Sequence, residues 1–191
     1  MHIAILGWGS LLWDNRPDFD KQHGEWESDG PSLPLEFSRV SQTRGDALTL
    51  VVDEINGCAC RVSHARSKRV SADDAIADLR CREGTILSNI GFFFADESKS
   101  QSRSTQVLSQ VKEWASSKKI DVVVWTDLAS NFSEKSKHKQ AYSVSAAIVH
   151  LQSLSPAGKA AAAEYVWRAP EFIKTSLRSA LETEPWFQPR G

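Results

Sequence analysis

Residues 2–7, His-Ile-Ala-Ile-Leu-Gly, form a short apolar run that stops at glycine and passes straight into Gly7-Trp8-Gly9-Ser10. A transmembrane helix needs about 20 apolar residues, so this run cannot be one. Its length suits a buried strand that hands the chain to a tight loop. A buried strand needs neighbouring strands and a cover.

The later segments provide them. Residues 14–34 carry Asp, Asn, Gly, Ser and the prolines Pro17, Pro31 and Pro34, and read as a long surface loop with room for one short strand. Residues 35–41 alternate apolar and polar, the period of a half-buried strand. Residues 47–53 form a second strand. Asn56-Gly57 then signals a hairpin, with Cys58–Val62 as the return strand. Ser71-Ala72-Asp73-Asp74 opens a helix that Gly84 closes, with Ala75, Ile76 and Leu79 on its apolar face. Residues 86–95 hold Phe92-Phe93-Phe94 and read as a buried strand. Residues 97–105 are polar loop. An amphipathic helix is predicted over 104–118, and a strand buried on both faces over 120–125. Residues 129–140 are polar and Lys-rich and read as a mobile loop. Helices are predicted over 143–153, 156–168 and 170–182, with Pro156 and Pro170 near their starts.

Strands come early and helices late, so the class is α+β. The expected architecture is a mixed sheet curled toward a barrel, with flanking helices and extra helices at the C-terminus. One domain is expected over 1–191, with a β-rich core over 1–128 and a helical extension over 129–191 packed on it.

Composition removes several function classes. Lys plus Arg number 23 and Asp plus Glu 24, for a net charge of −1. That balance supplies no electrostatic drive toward nucleic acid or an anionic membrane. Seven Trp and eight Phe offer far more buriable surface than a disordered chain carries. Three cysteines, few and odd in number, do not make a disulfide scaffold. No basic n-region precedes the apolar stretch from Ile3 to Leu12 and no small-residue cleavage site follows it, so a cytoplasmic protein is expected.

Two segments could carry chemistry. The closely spaced glycines of Gly7-Trp8-Gly9-Ser10-Leu11-Leu12 let main chain approach a ligand and point several N–H groups at one spot, which suits a carboxylate, a phosphate or an oxyanion. The same glycines could merely mark a tight turn. Leu12 stands where a dinucleotide fingerprint needs glycine, and no Gly-Lys-Ser/Thr follows, so neither nucleotide loop is present. The second segment is Arg80-Cys81-Arg82-Glu83-Gly84. Glu83 lies at a helix end before a very apolar strand, where partial desolvation would suit a general base. Its bland alternative is an exposed helix-end carboxylate.

Other constellations are weak. Cys58 and Cys60 face one way on a strand, and without a C-x-x-C pair they do not suggest zinc. His2, His23, His64, His138 and His150 show no H-x-x-x-H spacing, and no Gly-x-Ser-x-Gly elbow exists. No metal and no cofactor are expected.

Ile5-Leu6-Gly7-Trp8-Gly9-Ser10-Leu11-Leu12-Trp13 resembles the opening of the gamma-glutamylcyclotransferase superfamily, and most of all its glutathione-degrading ChaC branch, whose first strand runs into Tyr-Gly-Ser-Leu. Arg44-Gly45, Leu48–Asp53 and Cys60-Arg61-Val62 are similar to that family's central hairpin. Leu79–Gly84 looks like the segment that holds its catalytic glutamate. The resemblance covers residues 3–95. Trp8 stands in place of the family's tyrosine, and the helix at 104–118 and the helical C-terminal third have no counterpart in it.

The resemblance implies an enzyme that closes a γ-glutamyl amide or peptide to 5-oxoproline and releases an amine or amino acid. It implies Glu83 as general acid/base and Gly7, Trp8, Gly9, Ser10 and Leu11 as the substrate cradle. Arg44 is a candidate for a substrate carboxylate. The implied partner is a small γ-glutamyl molecule, with no nucleic acid and no membrane; the oligomeric state is left open. A second expectation, motivated by Trp8, is a binding domain that keeps the cradle without catalysis.

Overall fold

A computed structural model describes residues 1–96 and 98–188. The strands are β1 (Ile3–Gly7), β2 (His23–Glu27), β3 (Ser32–Ser41), β4 (Ala47–Val52), β5 (Cys58–Arg61), β6 (Ser63–Ser67), β7 (Ile90–Phe94), β8 (Ser100–Gln101) and β9 (Val122–Thr126). The helices are α1 (Pro17–Asp20), α2 (Ala72–Glu83), α3 (Thr105–Lys118), α4 (Phe132–Lys135), α5 (Val144–Gln152), α6 (Pro156–Arg168) and α7 (Ser176–Leu181).

The chain divides into two compact units: Met1–Leu33 with Arg61–Leu128, and Pro34–Cys60 with Ala129 onward. The units change over at Leu128 and Ala129, and Pro34–Cys60 groups with the C-terminal segment. The stretch around β4 groups with the C-terminal helices, not with the N-terminal core.

The first unit is built on a six-stranded sheet of order β2-β6-β1-β9-β7-β8. β1 runs antiparallel to β6 and parallel to β9. Every residue of β1 and of β9 is buried, as parallel strands covered on both faces require. Ile3 and Ile5 of β1 join Val122 and Val124 of β9 on one face, where Ala72, Ala75, Ile76 and Leu79 of α2 pack on them. Side chains alternate along a strand, so Ala4, Leu6, Val123 and Trp125 turn to the other face, the side α3 covers with Val107, Val111 and Ala115.

The expected curl into a barrel is corrected. The sheet is open, ending on β2 at one edge and the two-residue β8 at the other. The strands that would have extended it belong to a separate sheet. β2 is the one short strand that the expected loop at 14–34 had room for, whereas β6 is an addition that follows β5 with one residue between them.

The second unit carries a three-stranded sheet of order β4-β3-β5. The turn at Asn56-Gly57 exists, but it does not make a two-strand hairpin, because β3 lies between β4 and β5. The turn is built by Asp53, whose Oδ1 accepts the N–H groups of Ile55 (3.1 Å) and Asn56 (3.0 Å), an Asx-type turn. Gly57 donates its N–H to Asp53 O at 2.8 Å.

Residues 129–140 are not a free loop. Phe132 is 1% exposed and opens α4. Asn131 Oδ1 accepts Val40 N–H at 2.7 Å, Ser130 Oγ donates to Ser38 O at 2.7 Å, and Arg39 donates to Ala129 O at 2.7 Å. The polar composition reflects side chains that bond β3 main chain. The helix expected over 170–182 shortens to α7, because Arg178 is buried and donates to the carbonyls of Ala169, Pro170 and Ile173, which holds that approach non-helical. Glu36 of β3 is fully buried. Its carboxylate accepts Phe37 N–H at 2.8 Å and Leu177 N–H at 3.3 Å, at the start of α7.

Candidate functional site

The loop that follows β1 is a 3₁₀ turn over Gly9–Leu12, entered through Trp8 in extended conformation. Gly9 takes φ +58, the left-handed region that costs glycine least. Trp8 is 6% exposed and Leu11 7%, so the indole and the leucine are part of the packing, while Ser10 is half-buried. In a 3₁₀ turn the first N–H groups have no acceptor within the turn itself.

β1 and β9 finish at one edge, since Ile5 pairs with Val124 and the strands run parallel. In open sheets with parallel neighbours, the loops beyond the strand C-termini are where ligands settle. Asp127 follows β9 at this edge and is 3% exposed. Its Oδ2 accepts Arg103 N–H at 2.5 Å, and Arg103 Nε donates to Asp127 O at 2.8 Å. Burial pushes the Asp127 carboxyl above the ordinary aspartate range, against the pull of these donors. Asp127 N–H bonds Asn89 O at 2.8 Å. Arg103 also donates to Asn89 Oδ1 at 2.6 Å, and Asn89 donates to Thr85 Oγ1 at 2.8 Å. Asp127, Asn89 and Arg103 had no signal in the sequence beyond an acidic residue closing an apolar run.

The last turn of α2 reaches the same loop. Arg82 donates through Nη2 to Ser10 O at 3.2 Å and to Asp14 O at 2.9 Å, and lies 3.8 Å from the Asp14 carboxylate. Its side chain is 6% exposed. Glu83 is the next residue, half-buried, and Gly84 ends the helix at φ +57. The structure therefore brings together the two segments singled out in the sequence, Gly7–Leu12 and Arg80–Gly84. Arg44 belongs to the second unit, where its guanidinium lies 5.3 Å from the Tyr165 ring centroid.

No protein-family model, no curated protein and no solved structure matches this chain. The site must therefore be read from its own chemistry. Cys58, Cys60 and Cys81 are free thiols. Cys58 and Cys60 do face one way, with Cys58 Sγ 3.2 Å from Ser176 Oγ and Cys60 donating to Lys174 O at 3.4 Å. Among the described residues, the side chains placed to share a metal ion are Glu27, Asp29 and His64. No helix among those residues is long and apolar enough to cross a membrane.

Proposed function

We propose that the chain is a gamma-glutamylcyclotransferase-like enzyme that closes a γ-glutamyl amide or peptide to 5-oxoproline and releases an amine or amino acid. The observation that supports this reading is the Arg82 tie to Ser10, which joins the residue next to Glu83 to the glycine loop. A carboxylate and a row of main-chain donors at one place are what the reaction needs.

The substrate brings its own nucleophile, the α-amine. Ring closure within one molecule reaches effective molarities of about 10⁵–10⁸ M when the chain is held bent. The α-ammonium, with a pKa of about 8, must first lose a proton. Glu83 takes that proton, the amine attacks the γ-carbonyl, and the N–H groups from Trp8 to Leu11 receive the developing oxyanion. Glu83 then returns the proton to the leaving nitrogen as the carbon–nitrogen bond breaks, and the second proton shed by the ring nitrogen goes to the released amine, which departs as an ammonium. The bonds formed and broken balance without an oxidant or a second substrate.

Trp8 favours a second reading, a non-catalytic binding domain of the same fold. Its indole is buried where the family carries a tyrosine hydroxyl. One experiment separates the two. Purified protein is mixed with glutathione and a panel of γ-glutamyl dipeptides and amines, and 5-oxoproline is followed by mass spectrometry. Product from the wild type and none from Glu83→Gln supports the enzyme. Product from both removes Glu83 from the mechanism. No product, with calorimetric binding of 5-oxoproline or a γ-glutamyl peptide, supports the binder.

A further inference from the structure

We infer that Glu27, Asp29 and His64 form a binding site for a divalent first-row transition cation of the Zn²⁺ type. The inference does not rest on the cyclotransferase reading, and it departs from the metal-free expectation drawn from histidine spacing.

The register of the sheet builds the cluster. β2 and β6 run antiparallel with Glu27 opposite His64, so the two side chains project from one face. Asp29 lies two residues beyond Glu27, past the bend at Ser28. One atom from each residue falls within 4.8 Å of the other two. Glu27 is exposed, so its side chain can rotate the remaining distance at little cost.

His64 points to a ligand. It is 8% exposed. Its Nε2 lies 2.9 Å from Asp29 Oδ1. Yet that buried oxygen has no hydrogen-bond partner among the described residues, so it sits off the direction in which an Nε2–H would point. Two donor atoms about 3 Å apart and not hydrogen-bonded to each other match one edge of a coordination shell with bonds of about 2.0–2.2 Å.

The surroundings hold the two inner ligands in place. Trp114 of α3 packs on the His64 ring, centroids 5.0 Å apart, and donates its indole N–H to Asp29 O at 2.9 Å. Such outer contacts orient a ligating histidine. Lys118 pairs with the other Asp29 oxygen, Oδ2, and leaves Oδ1 facing His64. One imidazole and two carboxylates balance a divalent charge, and the imidazole favours zinc-like ions over calcium and magnesium. Three protein ligands leave a coordination position for water or substrate.

Calorimetric titration of the full chain with Zn²⁺, and separately with Ca²⁺, tests this. One equivalent of Zn²⁺ should bind, with Ca²⁺ far weaker. His64→Ala and Asp29→Asn should each weaken Zn²⁺ at least as much as the roughly 10–100-fold that follows loss of an outer contact. Glu27→Gln, at an exposed position, should weaken it about tenfold or more with the urea midpoint unchanged. Lys118→Met should tighten it, because a competing cation leaves Asp29. His138→Ala, remote in sequence, should change nothing. Absence of one-equivalent binding, equal affinity in wild type and Glu27→Gln, or equal affinity for Zn²⁺ and Ca²⁺ would each overturn the site.

Discussion

Arg82 donates to the main-chain oxygens of Ser10 and Asp14 at 3.2 and 2.9 Å, so a helix end and a glycine loop far apart in sequence share one cation. The planar guanidinium holds its donors in a rigid fork, which suits two carbonyls beside a carboxylate.

Arg82→Met keeps the apolar stem and removes the charged donors. It should cost about 1.5–3 kcal/mol, the range for hydrogen bonds made by a charged group. Urea unfolding would read the loss. If the proposed reaction is right, 5-oxoproline formation should fall by more than the folded fraction does, because the loop is no longer held beside Glu83.

Gly91 of β7 pairs directly with Trp125 of β9. A Cβ at Gly91 would lie 2.1 Å from Trp125 Cε2, and that indole is fully buried and has nowhere to go. Gly91→Ala should cost about 1–3 kcal/mol or more as overpacking. A thermal melt that matched the wild type would show that the sheet can shift to admit a methyl group.

Glu36 makes stability depend on pH. Burial raises its carboxyl above the ordinary glutamate range, despite the donors that favour the charged form. The folded chain therefore binds this proton more tightly than the unfolded chain. The resulting stabilisation is complete below the ordinary glutamate value and is lost as pH rises through the higher folded value. The difference in unfolding free energy between wild type and Glu36→Gln, followed by urea from about pH 4 to about pH 8, should move against the wild type as pH climbs. A flat difference would mean that the carboxyl titrates normally.

Arg178 holds the segment before α7 by donating to Pro170 O at 2.6 Å, Ile173 O at 3.0 Å and Ala169 O at 3.1 Å. An ammonium cannot reach three carbonyls in that fan. Arg178→Lys should cost about 2–3 kcal/mol, seen as a lower urea midpoint at unchanged slope.

Much of the local structure was legible in the residues. The apolar run before Gly7, the Ser71–Gly84 helix, the amphipathic stripe at 104–118 and the doubly buried strand at β9 all express periodicity, capping or composition, which act over a few neighbouring residues. The glycine loop and Glu83 were visible for the same reason. The expected helix over 170–182 failed because Arg178, read as an ordinary helical cation, bonds carbonyls that a longer helix would have used itself. Residues 129–140 read as mobile because their polarity was visible and their partners, Ser38, Arg39 and Val40, were not.

What the sequence alone determined is therefore the set of pieces: which stretches are strands or helices, where the chain turns, and which loop can present main-chain donors. Tertiary structure decided which pieces meet. It placed β3 between β4 and β5, left the larger sheet open, tied Arg82 to Ser10 and set His64 opposite Glu27. Strand order, register and charge pairing are fixed by contacts between residues far apart in the chain, and their energies depend on burial that only the folded chain possesses.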